Sequence, residues 1–210
     1  MTSSPSAEPA AAPVRVGLEV GRTWVFATAL DWPGWCRRGK GEHAALDALV
    51  DYSGRYAAVV GSGFVPGMPS VVGRVAGNAT TDFGAPGRAG PWDDEPLDPP
   101  EAERLTSLVV ACWGAFDAVA AGAPTELRKG PRGGGRDRDP IAEHVREAER
   151  SYGRKLCAAI PARTPWPEQR TVLAGLMRAG APDGTWTVRY AASRIAWHVL
   201  DHAWEIEDKS

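Results

Sequence analysis

Apolar and polar positions alternate first at period two and later at period 3.6, and that switch divides the chain. "VRVGLEV" (Val14–Val20) places apolar residues at every second position, which predicts a half-buried strand. Gly21-Arg22 follows with Gly first, the order a type II′ hairpin turn favours. "TWVFATAL" (Thr23–Leu30) returns as a second strand rich in β-formers. "DWPGWCRRGKG" reads as a loop punctuated by Pro33 and Gly34. Glu42–Val60 carries Ala45, Leu46, Leu49, Val50 and Tyr52 near helical spacing, and two weaker strand candidates follow near Val71–Ala76 and Asn78–Phe83. The expectation is an α+β N-terminal module, β-β-α-β, over residues 14–90. The stretch 84–100 is dense in Pro, Gly and acid, so residues 91–100 read as a linker.

From there the period is helical. Asp98-Pro99-Pro100 offers a cap and N-terminal prolines. Leu105, Leu108, Val109, Cys112, Trp113, Phe116 and Val119 then form one apolar face, ending near Gly122. A second helix is expected from Asp139-Pro140 to about Cys157, with Ile141, Val145, Ala148, Tyr152 and Leu156 on one face. A third starts at Thr164-Pro165 and closes at Gly180, and a fourth runs from about Thr187 to Glu207. Four amphipathic helices over residues 101–208 predict an all-α, up-down four-helix bundle after the α+β module.

Composition narrows the function classes. The 210 residues carry a net charge of −2, so no global basic field points to nucleic acid or to an anionic membrane. No run of 18 apolar residues predicts a transmembrane helix. Residues 1–13 lack a basic region followed by an apolar one and read as a disordered tail rather than a signal peptide. Cys36, Cys112 and Cys157 are widely spaced, with no CxxC pair, which argues against a disulfide framework or zinc knuckle and for a cytoplasmic setting. Cys112 and Cys157 fall in apolar helical patterns and are expected in the core.

The chain has four histidines. His198 and His202 lie one turn apart in the last helix. With Ile195 at zero on a helical wheel, they fall at about 300° and 340°, flanking the apolar sector of Ile206, Val199 and Ala203. His144 borders the apolar stripe of the second helix in the same way. Two imidazoles at i, i+4 can share a metal ion, and a third from another helix would complete three protein ligands with one open position. Val199 and Leu200 follow His198, so the HExxH protease motif is absent. His43 lies outside this pattern.

One His on the second bundle helix with HxxxH on the last resembles the DinB superfamily, including its YfiT-like and mycothiol-dependent maleylpyruvate isomerase-like branches. The resemblance covers about Glu101 to Asp208 and rests on His144, His198 and His202 plus helix order. It implies a divalent metal (zinc, nickel or iron) on those histidines. It further implies transfer of a small thiol, of the mycothiol type, to a small electrophile, as a thiol S-transferase or isomerase. The segment "FATALDWPGWCRRGKGEHAALDALV" is similar to HicB-like antitoxin modules, which bind partner proteins. No catalytic residue carries over from them.

Glu205 is a candidate acceptor that orients an imidazole. Trp113 and Tyr152 either line a pocket or pack the core. The basic, Gly-rich loop Arg128–Asp139 leads into the His144 helix, and Arg132, Arg136 and Arg138 are candidates to hold an anionic group of a cofactor or substrate. A solvated loop is the plainer reading. The alternative to an enzyme is a partner-binding protein in which the N-terminal module docks and the bundle is a scaffold, with or without a structural metal. A homodimer is compatible with a bundle of this size.

Overall fold

The computed structural model describes residues 12–130, 134–181 and 183–210. It is an α+β structure: a four-stranded mixed sheet and short helices come first, and four longer helices follow. The strands are β1 (Val14–Val20), β2 (Val25–Ala29), β3 (Cys36–Gly39) and β4 (Pro69–Ala76), in the order β3-β2-β1-β4. β1–β2 and β2–β3 are antiparallel, whereas β4 lies parallel to β1. A parallel neighbour needs a crossover, and two helices supply it: α1 (Glu42–Asp51) and α2 (Ser53–Val60).

Five local expectations change. Gly21 lies outside the left-handed region, so the β1–β2 connection is not a type II′ turn; it is a longer loop closed by Gly21 N–H donating to the Trp24 carbonyl at 2.9 Å. "CRRG" (β3) is a strand hidden inside the presumed loop, because Cys36–Gly39 finds a pairing partner in Val25–Thr28. The helix expected over Glu42–Val60 breaks at Tyr52, next to Ser53-Gly54, both poor helix formers. The second weak strand candidate is a short helix, α3 (Ala79–Phe83). The Asn78 side chain accepts from Thr80 N and Thr81 N while Thr81 Oγ1 accepts from Asn78 N, a reciprocal cap that favours helix. Cys157 is exposed, with a φ of 64°, because the helix before it stops at Lys155 and the chain turns there.

The presumed loop at Pro33-Gly34 is a packing centre. Gly34 has φ +95°, and a Cβ there would meet Leu200 Cδ1 at 2.9 Å. Glycine thus satisfies both the turn and the close approach. Trp35 beside it is fully buried and donates from Nε1 to the Leu49 carbonyl at 2.8 Å, and the Tyr56 hydroxyl donates to the Pro33 carbonyl at 2.9 Å.

Residues 91–94 form a 3₁₀ turn, Pro91–Asp94. Its Trp92 lies on the sheet over the paired glycines Gly17 of β1 and Gly73 of β4. The long helices are α4 (Pro99–Gly122), α5 (Arg138–Lys155), α6 (Trp166–Arg178) and α7 (Val188–Lys209). α4 starts where its prolines predict, with the Asp98 side chain accepting from Glu101 N at 2.8 Å. α5 starts earlier than Asp139-Pro140 suggests: Asp137 is its N-cap. Pro140 then falls in the first turn, where a missing N–H costs no intrahelical bond.

α7 packs on α4, α5 and α6, and α6 on α4 and α5. One apolar cluster runs from Val14, Val16 and Leu18 in the sheet to Ile195, Val199 and Ile206 in α7. α4 is long and apolar enough to cross a membrane, but Leu105, Val109, Cys112 and Phe116 bury its apolar stripe within this core. The buried Glu149 of α5 accepts from Arg170 of α6, which also donates to Asp117 of α4 at 2.8 Å. That arginine ties three helices together.

Candidate metal centre

α5 and α7 bring His144, His198 and His202 together. One ligand-capable nitrogen of each lies within 4.8 Å of the others. The rings meet edge to face, with centroids 5.1 Å apart for His144–His198, 5.1 Å for His144–His202 and 4.7 Å for His198–His202. His43 is not part of the cluster. The local cause is the one the helical periodicity predicts. Ile141, Val145 and Gly153 bury the stripe of α5, Ile195, Val199 and Ile206 bury that of α7, and the imidazoles project from the seam between the two stripes.

His144 Nε2 and His198 Nε2 face each other at 3.3 Å. Two nitrogens each about 2.0–2.1 Å from a tetrahedral ion would be about 3.3 Å apart, so the spacing of this pair matches that of two ligands on one ion. His202 Nδ1 lies 2.8 Å from Glu205 Oε2, which leaves its Nε2 free. Lys209 reaches the other Glu205 oxygen. The bond from His202, then that from Lys209, pulls the Glu205 carboxyl down to about 2 against its partial burial.

Burial favours the neutral imidazole at two of the three positions, His198 and His144. His198 is 8% exposed, and desolvation pushes its pKa well below 6.5, helped by the neighbouring His202 and His144 and by Arg194 and Arg136. His144 is lowered for the same leading reason. Neutral imidazole is the metal-binding form. His198 Nδ1 is buried with no hydrogen-bond partner among the described residues.

Tyr152 flanks the cluster, its ring 5.9 Å from that of His198. Trp113 instead lies in the core under Arg170. Arg138 is engaged elsewhere, donating to Asp139 at 2.7 Å and to the Ala123 carbonyl at 2.9 Å. Arg136 is exposed, and its charge helps to depress His144 and His198. Arg132 lies outside the described residues. Arg194 was not among the residues the sequence pattern singled out, although it stands one turn before His198 at the same spacing of four as His198 and His202.

No protein-family model, no curated protein and no solved structure matches the chain.

Proposed function

We propose that this is a metal-dependent enzyme of the DinB-like kind, its four long helices acting as the bundle and His144, His198 and His202 holding a divalent zinc, nickel or iron ion in the cytoplasm. The observation that carries the reading is three imidazole nitrogens within 4.8 Å, drawn from two helices, with burial lowering the pKa of His144 and His198. A divalent ion on three neutral ligands keeps its charge and acidifies a thiol or water at an open position.

The chain's own groups support thiol transfer to a small electrophile. Glu205 holds the His202 ring by its Nδ1 and so presents Nε2. His144 and His202 are partly buried, the His202 side chain being 13% exposed, so the cluster is not wholly sealed from solvent. Two of the chain's own thiols are unsuited to be the nucleophile: burial pushes Cys36 up to about 12 and raises Cys112 further still. Cys157 is exposed but is not part of the histidine cluster, so the nucleophile of this reading is a small thiol from solution, such as mycothiol.

The test uses untagged protein reconstituted with zinc, nickel or iron, with bound metal counted by mass spectrometry in wild type and in His198→Ala. One ion per chain, lost in the variant, is the expected result. Absence of stoichiometric metal in wild type sinks the reading. Metal-loaded protein is then assayed for thiol consumption with small electrophiles.

A second reading, partner binding through the N-terminal module, draws on exposed apolar side chains there. Val65, Met68, Val72 and Phe83 are all exposed, and β4 is an edge strand. Unpaired edges with apolar side chains accept partners. A Val72→Lys change on this edge should abolish any co-purifying protein or homodimer if the edge is the docking surface.

A further inference from the structure

The last turn of α7 is capped from outside the helix. Arg128, between α4 and α5, donates its backbone N–H to the Lys209 carbonyl at 2.9 Å and its guanidinium to the Asp208 carbonyl. Carbonyls of a last turn have no partner within their own helix. Leu127 beside it is buried, and its N–H donates to Asp137 Oδ1 at 3.1 Å. Asp137 also accepts from Lys129 and stands at the N-cap of α5. One segment thus ties the end of the His202 helix to the start of the His144 helix.

From that anchored turn the Lys209 side chain reaches back along α7. Its ammonium donates to Glu205 Oε1, while the other carboxylate oxygen, Oε2, lies 2.8 Å from His202 Nδ1. The three residues stand at spacings of three and four on one face of the helix. Gly135 lies against the ammonium: a Cβ there would be 3.4 Å from Nζ. An i,i+4 ion pair in open solvent contributes little, because two long side chains must be ordered to form it. This pair is partly withdrawn from solvent, with Lys209 26% and Glu205 30% exposed, and the backbone of its lysine is already held by Arg128.

We propose that Lys209 is a positioning residue for the histidine cluster: by holding one oxygen of Glu205 it aims the other at His202 Nδ1, and so presents His202 Nε2 to the cluster. A carboxylate only accepts hydrogen bonds, so a neutral ring bonded to it carries its proton on Nδ1. Nε2 is then left with a lone pair. Without the lysine, the carboxylate is free to turn toward solvent and the ring to change tautomer. This inference rests on the metal-site reading for its effect on zinc, but not for its effect on the His202 proton.

The competing account is that Lys209 only secures the end of α7. The experiment compares full-length wild type, Lys209→Met, Lys209→Arg and Arg128→Met. Arg128→Met loosens the same turn but leaves the ammonium in place. Long-range proton–nitrogen spectra of the metal-free chains at mildly alkaline pH show which ring nitrogen of His202 carries the proton, the signals being assigned with His202→Gln. Chelator competition measures zinc affinity in each variant and again in a Glu205→Ala background. Urea unfolding checks that each variant folds.

The expected result is a His202 proton on Nδ1 in wild type, Lys209→Arg and Arg128→Met, and both tautomers in Lys209→Met. Zinc affinity should fall by roughly three- to tenfold in Lys209→Met, less than for a group bonded to the ligand itself, with no further fall once Glu205 is Ala. If wild type binds no zinc but its His202 tautomer still depends on Lys209, the metal reading falls and this one stands. If Lys209→Met leaves the proton on Nδ1, or Arg128→Met disturbs the ring equally, Lys209 only holds the helix end and the proposal is overturned.

Discussion

His144 Nε2 and His198 Nε2 stand 3.3 Å apart across the seam of α5 and α7, although 54 residues separate them in the chain. Two neutral imidazoles can adopt this spacing by one donating to the other or by both aiming lone pairs at an ion. The alternatives differ in what removing one ring does. If the rings serve an ion, His144→Ala and His198→Ala should each lower zinc affinity by at least about 100-fold. Competition with a chromogenic chelator measures this. Equal affinity in wild type and variants would leave only the hydrogen bond.

Glu205 offers a finer probe of the same cluster. Its carboxylate holds His202 Nδ1 at 2.8 Å, so Glu205→Ala frees the ring to rotate. Zinc affinity should fall by about 10- to 100-fold, and Glu205→Gln, which keeps an acceptor, should lose less. A variant that binds zinc as tightly as wild type would mean that the His202 ring is fixed by packing alone.

Trp92 lies so close to the sheet that Gly17 has no room for a side chain. A Cβ at Gly17 would sit 2.5 Å from Trp92 Cζ2. Gly17→Ala should destabilise the fold by about 1–3 kcal/mol through overpacking. Gly114 in α4 has open space around it, so Gly114→Ala should stabilise by up to about 1 kcal/mol. Urea unfolding of the two variants checks the contrast, and a neutral Gly17→Ala would show that the indole moves freely.

Asp93 makes stability depend on pH. Burial pushes its carboxyl up from 3.8 to about 6, although Gly90 N–H donates to it. Between those values the folded chain holds a proton that the unfolded chain has lost. Stability therefore falls as pH rises from about 4 to 6, and the cost is complete above that. Asp93→Asn should flatten this slope and raise stability at pH 7 by an amount on the order of 1–3 kcal/mol. Thermal unfolding from pH 4 to 7 reads it, and a variant less stable than wild type at pH 7 would show that the charged form is well held.

The amino-acid sequence alone determined the features that repeat locally. The four long helices, the Asp98 cap and the marginal placement of His144, His198 and His202 follow from spacing along one helix at a time, because an apolar stripe must face a core whatever that core is. Tertiary structure decided what depends on a partner distant in the chain. "CRRG" is a strand only because β2 lies beside it, and β4 runs parallel to β1 only because α1 and α2 carry the chain across. Cys157 turned outward where α5 ended, against its apolar pattern. Likewise Trp92 needs both Gly17 and Gly73, and the last turn of α7 is capped by Arg128 from the segment before α5. Periodicity reports which side of a helix is buried; which groups meet there, and which are left without a partner, is settled only when the elements pack.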